Sequence, residues 1–173
     1  MKKLIIIFLI FGVFVPSNAV MLTGGIKYTQ EDARIELQNN KPSASFILNA
    51  DIIDPNYNQN YNYILKGLTK LSDRTLAKFS DGSYGVNYKK DILHVYYYDK
   101  DGTLISAEIK TSVEFPYRTY KYNPDGELVT MTMRVSENET FIFNPHGKLL
   151  GHWIGKNCYD ENGKILMTRQ IYN

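Results

Sequence analysis

Short apolar and aromatic segments alternate with glycine-containing turn sequences through the second half of the chain. The segments are rich in β-branched and aromatic residues, which is typical of strands. They are Leu93 to Tyr98, Tyr117 to Tyr122, Val129 to Val135 and Thr140 to Phe143. The turn sequences are Ser80-Asp81-Gly82, Lys100-Asp101-Gly102, Pro124-Asp125-Gly126, Pro145-His146-Gly147 and Glu161-Asn162-Gly163. Because such turns need a positive φ that glycine supplies, the pattern predicts successive hairpins with these glycines at positive φ.

The preceding region predicts helices instead. Gln30 to Gln38 consists of good helix formers with acidic residues early, and Thr29 followed by Asp32 resembles a capping box. Ser43 to Ile53 is apolar enough to be extended.

The stretch after Asp54-Pro55, a plausible N-cap and first helical position, is ambiguous. Its tyrosines and leucines up to Leu71 follow helical spacing, but Tyr57, Tyr61 and Tyr63 also alternate as in a strand. We predict a helix there that begins either directly after an N-cap at Asp54 or at Tyr61.

Four of the turns belong to a longer repeat. The consensus is an aromatic residue, Asp or Asn, two variable residues, Gly, one variable residue, and Leu or Ile. The four units run from Tyr98 to Leu104, Tyr122 to Leu128, Phe143 to Leu149 and Tyr159 to Ile165. Their glycines, Gly102, Gly126, Gly147 and Gly163, are unevenly spaced. Repetition at about 20 residues is typical of solenoids and β arrays.

The pattern Tyr-x-Tyr-Asp-x-x-Gly-x-Leu, seen from Tyr96 to Leu104 and nearly again from Tyr120 to Leu128, resembles the unit of YD repeats. Those repeats occur in Rhs-type shells and teneurins, and the hairpins also resemble MORN-like repeats. The resemblance covers about residues 92–171. It implies a hairpin architecture and no particular activity, because four units are too few to close a shell.

The recurring aromatic residues have two interpretations. Each can meet the Leu or Ile across its own hairpin, and stacked repeats would bury such pairs as a core. Alternatively they form an exposed platform for a glycan or another protein. The candidate binding residues on that interpretation are Tyr98, Tyr122, Phe143 and Tyr159, together with the sole tryptophan, Trp153.

The N-terminus carries the pattern of a bacterial-type secretory signal. Lys2 and Lys3 precede an uninterrupted run from Leu4 to Val15, and Ser17-Asn18-Ala19 offers small residues for cleavage. The run is shorter than the roughly 20 residues that a membrane span needs. We therefore predict a cleaved signal peptide at 1–19, no stable membrane insertion afterwards, and a periplasmic, cell-surface or extracellular location.

Composition narrows the class of partner. The chain carries +2 overall, and Lys2 and Lys3 account for that excess, so the mature chain is neutral. A nucleic-acid binder normally has a basic excess, so we expect no nucleic-acid partner. With a single cysteine, Cys158, no intramolecular disulfide forms, and we expect Cys158 to lie buried in a strand.

No catalytic or nucleotide-binding motif of a known type occurs. His152 and Cys158 could form a metal-ligand or nucleophile–base pair, but their spacing does not require one. Asp99-Lys100-Asp101-Gly102 resembles part of a calcium loop, and it equally satisfies a hairpin turn. We therefore expect no metal and no cofactor.

The sequence thus predicts a mainly β protein, an antiparallel hairpin-repeat meander with a small helical or irregular N-terminal region. The expected organisation is a signal peptide at 1–19, an N-terminal region at 20–73 and a repeat region at 74–173. We expect an exported, non-catalytic binding or structural protein of the cell envelope, with a glycan or another envelope protein as partner. The alternative is a small exported hydrolase with a site between the two regions.

Overall fold

The computed structural model describes residues 28–43 and 50–168, which form one antiparallel sheet with two helices on one of its faces. The helices are α1 (Gln30–Asn39) and α2 (Tyr57–Leu65). The strands are β1 (Arg74–Lys78), β2 (Tyr84–Tyr88), β3 (His94–Tyr98), β4 (Leu104–Lys110), β5 (Tyr117–Tyr122), β6 (Leu128–Arg134), β7 (Glu139–Phe143), β8 (Leu149–Ile154), β9 (Asn157–Tyr159) and β10 (Ile165–Thr168). Each strand pairs with its neighbours in the chain, so the predicted mainly β meander is confirmed.

The four repeat units close with the same turn. In the first, the Asp99 N–H donates to the Thr103 carbonyl at 2.8 Å, and the Gly102 N–H donates to the Asp99 carbonyl at 3.1 Å. The Asp99 carboxylate also accepts the backbone N–H groups of Asp101 at 2.9 Å and Thr103 at 2.8 Å. Asn144 and Asp160 accept the same two bonds in their units, and Asn123 accepts the second of them, from the Glu127 N–H. The Asp or Asn of the repeat is therefore needed as a backbone acceptor.

The glycine of each turn has the predicted positive φ. The angles are 84° at Gly102, 82° at Gly126, 83° at Gly147 and 77° at Gly163, and Gly82 in the β1–β2 turn has 89°. This conformation is accessible to glycine and strained for residues with a Cβ. The hairpin prediction is therefore confirmed at all five turns.

The strand register repeats with the turn. The motif aromatic lies opposite the motif Leu or Ile in all four hairpins: Tyr98 with Leu104, Tyr122 with Leu128, Phe143 with Leu149, and Tyr159 with Ile165. The residue after each of these aliphatics forms a bulge with an exposed aliphatic side chain: Ile105, Val129, Leu150 and Leu166. The four units thus share the same turn, register and bulge.

Helix α1 packs against β6 and β7 and covers the larger of two core clusters. Its predicted capping box is present, because the Thr29 side chain accepts the Asp32 N–H and Asp32 accepts the Thr29 N–H. Ala33 and Leu37 are fully buried. The Tyr120 hydroxyl donates to the Leu37 carbonyl at 3.0 Å, which fixes the C-terminal end of the helix to the sheet.

Helix α2 packs against β1 and covers the second cluster with Ile64. Both predicted starts are wrong, since the N-cap is Asn56 and the helix begins at Tyr57. Asp54 is buried instead. One of its carboxylate oxygens accepts the Asn56 N–H, and the other accepts Asn60 at 2.8 Å and the Tyr84 hydroxyl at 2.7 Å.

The segment before α2 lies along the β3–β4 turn. Its contacts are the Asp54 N–H to the Gly102 carbonyl at 2.9 Å, the Leu104 N–H to the Ile52 carbonyl at 2.7 Å, and a β-bridge between Ile53 and Thr103. The end of the stretch predicted to be extended is therefore paired with the sheet. Most of Ser43 to Ile53, and the predicted signal peptide at 1–19, lie outside the described residues. Neither described helix has the length and apolar character that crossing a membrane would require.

Candidate functional site

The structure places three of the five candidate binding residues in the core. Tyr98 belongs to the cluster under α2, where it stacks on Tyr84 with ring centroids 5.6 Å apart. Tyr122 and Phe143 belong to the cluster under α1. The three rings are at most 3 % exposed. Three of the four recurring aromatics therefore pack as the buried contacts of the first interpretation, divided between two clusters.

The other two candidates lie near the end of the sheet on opposite faces. Trp153 in β8 is half-buried and lies opposite Cys158 of β9. Tyr159 is half-buried on the helix-covered face, opposite His152. Neither is part of the core clusters, and Cys158 is buried in a strand as expected.

His152 and Cys158 do not form the pair that their spacing allowed. Alternate residues of a strand point to opposite faces, so His152 and Cys158 are on different sides of the sheet. His152 instead bonds the buried Glu139 carboxylate through Nε2 at 2.9 Å and stacks on Phe141, with ring centroids 4.0 Å apart. Burial lowers the pKa of His152, and the hydrogen bond to Glu139 opposes that shift.

The calcium-like residues Asp99 to Gly102 form the hairpin turn described above, with the Asp99 carboxylate used by backbone N–H groups. Within residues 28–43 and 50–168, no group of three or more His, Cys, Asp or Glu side chains could hold a metal ion.

The face opposite the helices, which we call the open face, is not covered by any helix or strand of the described residues. The register places on it one side chain from every second position of each strand. Across its middle these are Tyr97, Glu108, Lys121, Thr130 and, further along, Thr132, Ile142 and Trp153. The open face thus combines aromatic, hydroxyl and charged groups.

A hydrogen-bonded group lies at the centre of the open face. Glu108 lies directly opposite Lys121, and the Tyr97 hydroxyl donates to Oε2 of Glu108 at 3.3 Å. The Lys121 Nζ lies 3.9 Å from the Tyr97 ring centroid, a cation–π geometry. Phe79 extends the row, with its ring centroid 6.0 Å from that of Tyr97.

A second cation–aromatic group lies beside the first. Arg134 is opposite Tyr117 and donates to its hydroxyl at 3.2 Å. Its guanidinium carbon is 5.6 Å from the ring centroid of the exposed Phe115, which stacks on Tyr117 at 5.4 Å. The Nε of Arg134 is buried without a hydrogen-bond partner. The open face therefore pairs each of two cations with aromatic rings.

Charges on the open face are partly desolvated. Burial raises the pKa of Glu108, although Lys110 and Lys121 oppose the shift. Burial lowers the pKa of Lys110 and of Lys121, with Glu108 opposing both shifts. Burial also raises the pKa of the Tyr97 hydroxyl. With Arg134, the four charged side chains comprise three basic groups and one acid.

A separate cavity of 260 Å³, which we call the three-tyrosine pocket, lies on the helix-covered face between residues 50–56 and strands β2 and β3. It is lined by Tyr88, Tyr96 and Tyr98, by the acidic residues Asp51 and Asp91, and by Ala50, Pro55, Asn56 and Lys90.

Hydrogen bonds hold the walls of this pocket. Asn56 Nδ2 donates to the Tyr88 hydroxyl at 3.1 Å, and the Tyr96 hydroxyl donates to Asp91 Oδ2 at 3.2 Å. His94 Nδ1 is 2.6 Å from the other oxygen of Asp91. Burial, followed by the nearby Asp91, raises the pKa of Tyr96 to about 12, so its hydroxyl is protonated at neutral pH.

The sequence predicted neither of these groupings, although it named Tyr98, which lines the pocket, and Trp153, which lies on the open face. The alternation of apolar and polar residues along β4 and β5 could have placed Glu108 and Lys121 on the polar face of their strands. It could not show that they are opposite each other, because the register depends on the bulges and on the β4–β5 loop. The pocket was not predictable, since it needs the segment 50–56 to pack against β2 and β3.

Comparison with known proteins identifies no relative: no protein-family model, no curated protein and no solved structure matches this chain.

Proposed function

We propose that this chain is an exported, non-catalytic binding protein of the bacterial cell envelope, and that its open face binds an acidic glycan. The observation that carries the proposal is the pairing of cations with aromatic rings on a sheet face that no described element covers. Lys121 with Tyr97 and Arg134 with Tyr117 are the two pairs.

The charges of the open face favour an anionic ligand. Lys110, Lys121 and Arg134 outnumber Glu108, which is itself bonded to Tyr97. The Lys121 ammonium is partly buried and so is poorly hydrated. An anionic ligand group beside it would stabilise its charge in place of the missing water. Local charge complementarity of this kind is compatible with a chain that is neutral overall.

The neutral side chains favour a glycan over a protein partner. The core of a protein interface is usually apolar, whereas the middle of the open face carries the hydroxyls of Thr130, Thr132 and Thr140. Aromatic rings offer flat apolar surfaces against which sugar rings can lie, and the threonines and cations can bond sugar hydroxyls and carboxylates.

We propose binding and not catalysis because the acid of the open face, Glu108, already accepts a hydrogen bond from the Tyr97 hydroxyl. Export is supported by the order of the basic, apolar and small residues before Ala19. N-terminal sequencing of the protein recovered outside the cytoplasm should begin at Val20; recovery only inside the cell, with residues 1–19 retained, would contradict export.

Binding can be measured with polygalacturonate as an acidic polymer and dextran as a neutral one. We expect polygalacturonate to bind in preference to dextran, and added salt to weaken the binding because exposed charges are screened. Lys110→Gln and Lys121→Gln should each weaken binding about fivefold, the effect of losing about 1 kcal/mol.

The matched controls are Lys100→Gln and Lys148→Gln, which change exposed lysines in the turns. These variants should bind polygalacturonate like the parent. Equal binding of both polymers, or equal losses in all four variants, would contradict the assignment of the open face. Shortening of the polymer during incubation would favour the exported hydrolase instead.

A further inference from the structure

We propose that the three-tyrosine pocket is a second binding site and that it takes one neutral pyranose sugar unit. The pocket lies on the helix-covered face, whereas the open face is on the other side of the sheet. The two sites are therefore independent, and the pocket proposal does not rest on the open-face proposal.

The first argument is that the pocket is preorganised. Tyr88 and Tyr96 have their hydroxyls tied to Asn56 and Asp91, and Tyr98 is only 2 % exposed and stacked on Tyr84. A ligand entering such a pocket loses little of its binding free energy to ordering of the protein, because the aromatic walls are already fixed.

The second argument concerns the sign of charge. An anionic ligand would meet the carboxylates of Asp51 and Asp91, and a cationic ligand would meet the Lys90 ammonium, whose Nζ lies 5.9 Å from the Tyr88 ring centroid. A ligand with several hydroxyls can donate to the carboxylates and accept from the ammonium and the Asn56 amide. The lining therefore suits an uncharged polyhydroxyl compound.

The third argument concerns shape and size. Tyr88 and Tyr96 contribute half-buried aromatic side chains to the lining, and an aromatic ring suits the apolar face of a sugar ring better than an acyclic polyol does. The cavity volume is 260 Å³. Pockets for small molecules usually begin at about 300 Å³, so this one lies just below that range. That volume favours a single ring over an oligosaccharide.

The experiment is an amide NMR titration of the protein with the methyl glycosides of glucose, galactose, mannose and N-acetylglucosamine. Betaine and glycine, both zwitterions, serve as charged probes, and betaine carries a quaternary ammonium group. We expect at least one glycoside to shift signals from residues 50–56 and 88–98, and we expect neither betaine nor glycine to do so.

Two pairs of variants test the lining. Asp51→Ala and Lys90→Met should weaken glycoside binding about tenfold, the effect of losing one hydrogen bond to a charged group. The matched controls Asp125→Ala and Lys89→Met change exposed residues outside the lining and should leave it unchanged. The amide spectrum of each variant shows whether it is folded.

Three outcomes would overturn the proposal: no shift with any glycoside, shifts that map outside the pocket, or stronger binding of betaine or glycine. The open-face variant Lys121→Gln should bind the glycoside like the parent. Failure of polygalacturonate binding therefore leaves the pocket result standing, and failure at the pocket leaves the open-face result standing.

Discussion

At the scale of single residues, the turn glycines differ in what surrounds them although their backbone angles agree. A Cβ at Gly102 would lie 2.7 Å from Cδ2 of Tyr57 in α2, whereas a Cβ at Gly163 would have no atom within 4 Å apart from those of its two neighbours in the chain. The φ angles are 84° and 77°. A substitution at Gly163 therefore measures backbone strain alone, whereas the same substitution at Gly102 measures backbone strain together with the steric clash against Tyr57.

We expect Gly163→Ala to lower the free energy of unfolding by about 1–2 kcal/mol, the cost of a left-handed residue with a Cβ. Gly102→Ala should lose about 1–3 kcal/mol more, because Tyr57 must move. Urea denaturation measures both. The control is Gly102→Ala in a Tyr57→Ala background, where the added loss should fall to that of Gly163→Ala. Equal losses for the two single variants would show that α2 does not pack against the turn.

At the scale of elements, each repeat hairpin is specified by the side-chain oxygen at the second motif position. Asn144 Oδ1 accepts the N–H of His146 at 3.0 Å and that of Lys148 at 2.9 Å. This bonding is local, so it needs no information from the rest of the chain.

We expect Asn144→Ala to destabilise the protein by about 1 kcal/mol, because two backbone N–H groups lose their acceptor and turn to water. Asn144→Asp should retain most of the stability. The exposed Lys148 in the same turn is the control, and Lys148→Ala should change the unfolding free energy by less than about 0.5 kcal/mol. Thermal denaturation is the measurement. Similar losses of stability for Asn144→Ala and Lys148→Ala would contradict a specific role for the Asn144 side-chain oxygen.

Local bonding also explains which elements were predictable from the sequence. The capping box of Thr29 and Asp32 and the turns at Asp99 and Asn144 use partners close by in the chain, and their elements were predicted correctly. Asp54 was assigned to the wrong role because its partner Tyr84 lies in β2, far along the chain. The open face and the pocket were missed for the same reason, since each combines residues from several elements.

At the scale of the whole molecule, the two faces of the sheet contribute unequally to stability. Phe143 and Ile142 are adjacent in β7, but Phe143 is fully buried under α1 and Ile142 is half-buried on the open face. The helix-covered face holds both core clusters.

We expect Phe143→Ala to cost about 3–5 kcal/mol, a large part of the stability of a single domain. Ile142→Ala is the matched control and should cost about 1–2 kcal/mol, because less apolar surface is removed from burial. Chemical denaturation compares the two. If Phe143→Ala melted like the parent and lost ligand binding instead, the repeat aromatics would be binding residues and not core.

The shared turn has a consequence for how this chain can vary over evolution. The repeat glycines Gly102, Gly126, Gly147 and Gly163 come progressively closer together along the chain, yet all four turns keep the same bonds. The decreasing spacing of the glycines is accounted for by shorter strands and by shorter connections at the other end of the strands. These connections are residues 111–116, 135–138 and 155–156. Gene duplication or deletion of one hairpin would therefore lengthen or shorten the sheet by two strands while every remaining turn kept its structure.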